Sequence, residues 1–194
     1  MDAGPRMAAS FVQGTLDSIA RADADLGRRV RQGLRPETLE TLGSASRISL
    51  IPVEIDVEIT EQLFAHAGRD RGRAILRDAL ASTFESPLFG SFLQTALRLR
   101  GSNPGRLFGW CSKVWNQIYR DAGDMHFVPV GDSEGRLQLE RLPEVMCNDT
   151  YLDGTAATVS AVFSIVGVEG TARLGALDAS IGRAVISAAW EPRD

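Results

Sequence analysis

Gly105-Arg-Leu-Phe-Gly-Trp-Cys-Ser-Lys-Val-Trp-Asn-Gln-Ile-Tyr-Arg120 is the stretch whose reading decides the fold. At about 100° per residue, Leu107, Phe108, Trp110, Cys111, Val114, Trp115, Ile118 and Tyr119 gather on one half of a helical wheel. Ser112, Lys113, Asn116, Gln117 and Arg120 take the other half. An apolar arc that wide exceeds what one neighbouring helix covers. The helix is therefore expected to lie beneath both a sheet and other helices. Phe108, Cys111, Trp115 and Tyr119 on this face, with Phe163 further along, are the candidate lining of a ligand pocket. Arg120 and Asp121 close the helix and are candidates for a structural anchor between helix and sheet, although a cation near a helix C-terminus followed by a turn-forming Asp is the plainer explanation.

Towards the C-terminus, Leu137 and Leu139 alternate with Arg136, Gln138 and Glu140, the pattern of a half-buried strand. Gly131-Asp-Ser-Glu-Gly135 joins it to Met125–Val130 as a hairpin with a longer loop. A linker over 142–150 leads to a helix over about 151–166. One of its faces carries Leu152, Val159, Val162, Phe163 and Val166. The other carries Gly154, Ala157, Ser160, Ala161 and Ser164, small residues that allow another backbone to come close. Strands over 171–177 and 182–190 follow, with Ala184, Ile186, Ala188 and Trp190 on one side. The segment 104–190 thus reads as helix, hairpin, helix, hairpin.

Towards the N-terminus the chain reads as helix. Residues 1–6 are expected to be a disordered tail. Helices are expected over 7–22, over 23–32 capped by Asp23, and over 36–42 with Pro36 at the first helical position and Gly43 as the stop. The run Ile48-Ser-Leu-Ile-Pro-Val is extended up to Ile51, because Pro52 argues against a central strand. A helix then runs to His66, ended by Gly68. Two more are expected over 70–84 and 87–100. The resulting fold class is α+β: N-terminal helices over 7–103 packed on one face of a four-stranded antiparallel sheet with an inserted helix, within a single domain spanning 1–194.

Composition excludes more than it assigns. The chain has 194 residues, a net charge of −4 and 44% hydrophobic residues. That balance lacks the basic footprint of a nucleic-acid binder. No window of about 18 uninterrupted apolar residues is present, so no membrane span is expected. The N-terminus lacks the long apolar run of a signal peptide, and two cysteines are too few for a disulfide framework, so a cytoplasmic location is expected.

A family resemblance rests on four short motifs: Val12-Gln-Gly14, Leu34-Arg-Pro-Glu-Thr-Leu39, Ile51-Pro-Val-Glu54 and Tyr119-Arg-Asp-Ala-Gly123. In these the chain resembles an uncharacterised protein family abundant in myxobacteria. That family in turn is similar to the haem-nitric-oxide-binding and vinyl-4-reductase group of domains. The resemblance covers nearly the whole chain. It implies helices on one face of a four-stranded antiparallel sheet, and a site for haem, a small apolar ligand or a protein partner. The haem branch implies a helical proximal His and a Tyr-x-Ser-x-Arg motif. Here Tyr119 is followed by Arg120-Asp121 and Tyr151 by Leu152-Asp153-Gly154, so no haem site is carried over and no cofactor is expected.

Residues that could carry chemistry have plainer readings. His66 falls at a helix end, where a cation suits the dipole. His126 falls in an edge-like strand, with no second ligand to complete a metal set. Cys111 sits in the apolar stripe, where a thiol behaves as a small hydrophobe. Cys147 has no cation near it in sequence to lower its pKa. The run Arg28, Arg29, Arg31 and Arg35 reads as a solvated face. No phosphate loop or nucleophile elbow is present. The expected function is non-catalytic: a regulatory domain binding a small apolar ligand or a protein partner. The alternatives are a structural interaction module acting as a homodimer, and an enzyme, which would show clustered polar groups with perturbed pKa in a cleft.

Overall fold

The computed structural model describes residues 4–85 and 103–192. The helix expected over 87–100 lies outside the described residues. Among the described residues the N-terminal half holds α1 (Ala9–Ala22), α2 (Ala24–Gln32), α3 (Pro36–Ser44), α4 (Glu54–Ala67) and α5 (Arg69–Glu85). Asp23 caps α2 as its position requires, accepting from the Asp25 and Leu26 amides at 2.9 and 3.0 Å. Pro36 starts α3, but the helix runs through Gly43 to Ser44. Gly68 ends α4 at φ 77°, in the left-handed region that suits glycine.

The first helix begins at Ala9 rather than at Met7 as expected. Arg6–Ala8 is a strand, β1, with Met7 wholly buried. It pairs antiparallel with β2 (Leu50–Pro52) on one side and β3 (Tyr119–Arg120) on the other. Helix α6 therefore runs Pro104–Ile118 and stops before Tyr119, which the helical period alone would have kept. Met7 faces both Ile51 and Tyr119 in register. This small sheet ties the approach to α4 to the exit from α6.

The second sheet has the order β4–β5–β7–β6, antiparallel throughout: β4 (Asp124–Gly131), β5 (Glu134–Glu140), β6 (Gly170–Asp178) and β7 (Arg183–Trp190). Gly131 pairs with Glu134, so the first hairpin closes through a two-residue turn rather than the longer loop expected from its two glycines. Ala184, Ile186, Ala188 and Trp190 alternate inward along β7, as the period-two pattern requires. Gly123, at φ 78°, carries the chain from β3 into β4; a Cβ there would lie 2.5 Å from the Glu140 carbonyl oxygen.

The expected helix over 151–166 is two: α7 (Asp149–Val159) and α8 (Ala161–Val166), broken at Ser160. The Ser160 hydroxyl donates back to the Ala157 carbonyl at 2.5 Å, a side-chain bond of the kind that competes with the helical ladder. The small-residue face is covered by the chain itself, except for exposed Ser164. A Cβ on Gly154 would fall 2.7 Å from Thr60 Cγ2 on α4 and 3.2 Å from Leu76 Cδ1 on α5. One continuous core joins the helices to the inner face of the four-stranded sheet.

Candidate functional site

Helix α4 positions a carboxyl group, that of Asp56, inside this core. Its inward positions come in adjacent pairs one turn apart, Ile55-Asp56 and Ile59-Thr60, so the face that buries the isoleucines buries Asp56 and Thr60 too. The Tyr151 hydroxyl donates to Asp56 Oδ2 at 3.1 Å, and Tyr119 and Tyr151 share a hydrogen bond at 3.0 Å between their hydroxyls. Each partner is held by a different device. Tyr151 follows Asn148, whose side chain caps α7 by accepting from the Tyr151 amide at 2.7 Å. Tyr119 is held by the β1–β3 pairing and stacks on Trp115 with ring centroids 4.1 Å apart. Trp115 is fixed in turn by its indole Nε1, which donates to the Gly123 carbonyl at 3.0 Å.

These groups border a cavity of about 100 Å³ between α1, α4, α5, α6 and α7. Its walls are mainly apolar, with Leu76, Leu80, Leu107, Val114, Ile118 and Val159 among them, and Asp56, Thr15 and Thr60 add polar atoms. Burial pushes the Asp56 carboxyl up to about 6, against the lowering influence of the Tyr151 hydroxyl that donates to it and of the Tyr119 hydroxyl behind that one. Burial raises both phenols as well, and the Asp56 charge adds to the rise. No Arg, Lys or His lines the cavity among the described residues.

Of the five residues expected to line a pocket, Cys111, Trp115 and Tyr119 border this cavity. Phe108 and Phe163 do not. They build an aromatic cluster against the sheet, Phe108 meeting Phe127 at 5.5 Å, Phe163 at 5.4 Å and Trp190 at 6.0 Å between centroids. Arg120 is exposed, and its backbone, paired with Arg6, is what joins this point to β1. Asp121 is exposed in a left-handed turn at φ 55°. Burial pushes the Cys111 thiol up to about 12, and burial with nearby Glu144 raises that of Cys147. Both are poor nucleophiles near neutrality. Asp56 and Tyr151 were not singled out by the sequence. An acid in the first turn reads as a partner for the helix dipole, and only its place beside Ile55 in the buried stripe marks it as internal.

Haem can be tested against this donor set. His66 and His126 are both exposed, and neither borders the cavity. The segment 86–102 contains no His, Cys, Met or Tyr. Of the remaining donors at the cavity, Cys111, Tyr119 and Tyr151 hold their protons tightly, and Met125 offers a thioether, which serves haem iron in company with an imidazole that this cavity lacks among the described residues. Pockets for cofactor-sized molecules run to roughly 300–1,000 Å³. The residues do not fit haem. No group of three His, Cys, Asp or Glu side chains able to hold a metal occurs among the described residues. Among them, too, no helix is long and apolar enough to cross a membrane.

No family model matches the chain, and no curated protein matches it. Solved structures do. An Fe(II) unliganded H-NOX protein mutant from K. algicida superposes with a TM-score of 0.64 at 10% identity, covering 96% of this chain and 97% of that one. A mutant H-NOX from T. Tengcongensis gives 0.60 at 12% identity, covering 96% and 98%. At such identities the likeness is one of architecture. The chain shares the fold of H-NOX domains over nearly its whole length, at 10–12% sequence identity to these structures.

Proposed function

We propose that this chain is a non-catalytic sensory domain that takes a small, largely apolar ligand into the cavity between α4, α6 and α7, without haem. One observation supports the reading above the others: an apolar cavity in the centre of the fold, walled by α1, α4, α5, α6 and α7. Occupancy there touches both halves of the chain at once. It therefore suits coupling a bound molecule to the relative packing of helices and sheet. The fold shared with H-NOX proteins agrees with a ligand held between these layers.

The test is a titration with isobutanol, followed by Trp fluorescence and by amide shifts. Trp110 and Trp115 border the cavity and report on it directly. Saturable shifts at Thr60, Trp115 and Val159, lost in Ala79→Phe, which fills one wall, are the expected result. Shifts that do not saturate, or that persist in a folded Ala79→Phe protein, sink the reading.

A second reading, a protein-interaction module, is favoured by Val128 and Val130, 38% and 50% exposed on the edge strand β4. Pro129 lies between them and removes one amide from that edge, which weakens strand addition there. A concentration-independent monomer mass for wild type and Val128→Lys alike would eliminate it for self-association.

A further inference from the structure

We propose that the cavity selects a small organic ammonium ion: one cationic nitrogen directed at Asp56, and a compact aliphatic body against the walls. This rests on the small-ligand reading above and narrows it to a ligand class.

The argument begins with charge. Asp56 is buried and receives its hydrogen bond from the Tyr151 hydroxyl, itself bonded to Tyr119. Hydroxyl donors lessen the cost of burying a carboxylate but supply no opposite charge. Among the described residues no cationic side chain borders the cavity. A buried carboxylate without a counter-ion is costly, and a cation placed beside it removes much of that cost. Among the described residues no side chain supplies the opposite charge, and a cationic ligand would.

The walls point the same way. Trp110, Trp115, Tyr119 and Tyr151 all border the same space. Aromatic rings attract cations through the negative potential of their faces, and such attraction strengthens away from water. Four rings lining a space that also holds a carboxylate are poor company for an anion and good company for an ammonium group. Most of the remaining wall, Leu76, Leu107, Val159 and Val162 among it, is hydrocarbon, with Thr15 and Thr60 adding hydroxyls.

Size sets the rest. The cavity of about 100 Å³ is somewhat smaller than the roughly 150 Å³ cavity that admits benzene. A primary amine with about four carbons is therefore the right scale. A polyamine or an amino acid would bury a second charge with no partner.

Isobutylamine and isobutanol have nearly the same shape and differ in charge, so the pair isolates the prediction. Each is titrated into the full chain at pH 7.5, with Trp fluorescence and calorimetry as readouts. The amine is expected to bind about tenfold more tightly or better, the usual strength of a charge-assisted hydrogen bond over a neutral one. In Asp56→Asn the preference should vanish while isobutanol binding persists. Equal binding of the two by wild type overturns the ammonium assignment and leaves the small-ligand reading standing. An amine preference that survives in Asp56→Asn overturns it too, because another group must then be the recogniser. Binding of neither compound removes both readings. Should Asp56→Asn fail to fold, the comparison on the wild-type chain alone decides.

Discussion

The Tyr151 hydroxyl donates to the Asp56 carboxylate at 3.1 Å, joining residues 95 positions apart across the centre of the molecule. The bond links α4 of the helical half to α7, which lies against β6 of the four-stranded sheet. Its energetics lead directly to a pH dependence.

The folded chain raises the Asp56 pKa from 3.8 to about 6. A raised carboxyl pKa means that the folded state holds its proton more tightly than the unfolded state. The corresponding stability is present below pH 3.8 and is lost as pH rises towards 6; above that the full cost of the buried charge remains. The displacement corresponds to a few kcal/mol as an order of magnitude. Asp56→Asn removes the charge and can still accept from Tyr151. It should be more stable than wild type at pH 7.5 by about 1–3 kcal/mol, and nearly equal to it at pH 4. Urea unfolding at the two pH values checks this. A deficit at pH 7.5 that disappears at pH 4 would show that the carboxylate itself stabilises the fold.

Trp115→Ala should cost about 3–5 kcal/mol, the usual range for truncating a large buried aromatic. Trp115 is 4% exposed, donates to the Gly123 carbonyl and stacks on Tyr119, so the loss also loosens the tyrosine beside Asp56. Trp115→Phe keeps a ring but orphans the Gly123 carbonyl, and should fall between the two. A loss under about 1 kcal/mol for the alanine variant, measured by denaturant unfolding, would contradict the packing described.

Ala161→Glu should lower the melting temperature by roughly 10 °C or abolish folding, since a carboxylate would be buried without a partner. Ala161 is wholly buried at the start of α8, which packs on α5 and α6 of the same chain. The defect should therefore appear at every protein concentration. A variant that melts like wild type but changes its solution mass would place a second subunit on this helix instead.

Hemin supplied to the purified protein should give no stoichiometric complex and no shifted Soret band. Neither imidazole borders the cavity, and the thiol and phenols that do keep their protons. A tight one-to-one spectrum that is lost in His66→Ala or His126→Ala would refute the placement of those side chains.

Much of the fold is legible where a segment's pattern depends on its own residues. Strand β7 alternates because one face is buried, and α6 shows its apolar arc because two layers cover it. The sequence is silent where structure depends on distant partners. Tyr119 continues the helical period of α6, yet it leaves the helix to pair with Met7, 112 positions earlier. Nothing near Arg6–Ala8 marks three residues as a strand. The helix breaks at Ser160 although its pattern runs on, and the Ser160 hydroxyl bonds back to the Ala157 carbonyl there. The aromatic stripe led to Trp115 and Tyr119, but it could not divide residues at the cavity from Phe108 and Phe163, which pack on the sheet. Asp56 was hidden because its neighbours, rather than its own type, determine that it points inward.

The three-stranded sheet has a consequence for how the molecule assembles. Pairing Met7 with Tyr119 closes a long loop, at a chain-entropy cost of about 4 kcal/mol if nothing else is ordered. Two or three residues of strand pairing cannot offset that, so β1 has no reason to dock on β3 until the helices between them have brought the ends together. The smallest sheet in the molecule is then the last to form. Its formation seats Tyr119 beside Asp56, so the polar heart of the cavity is completed only when the scaffold around it is already built.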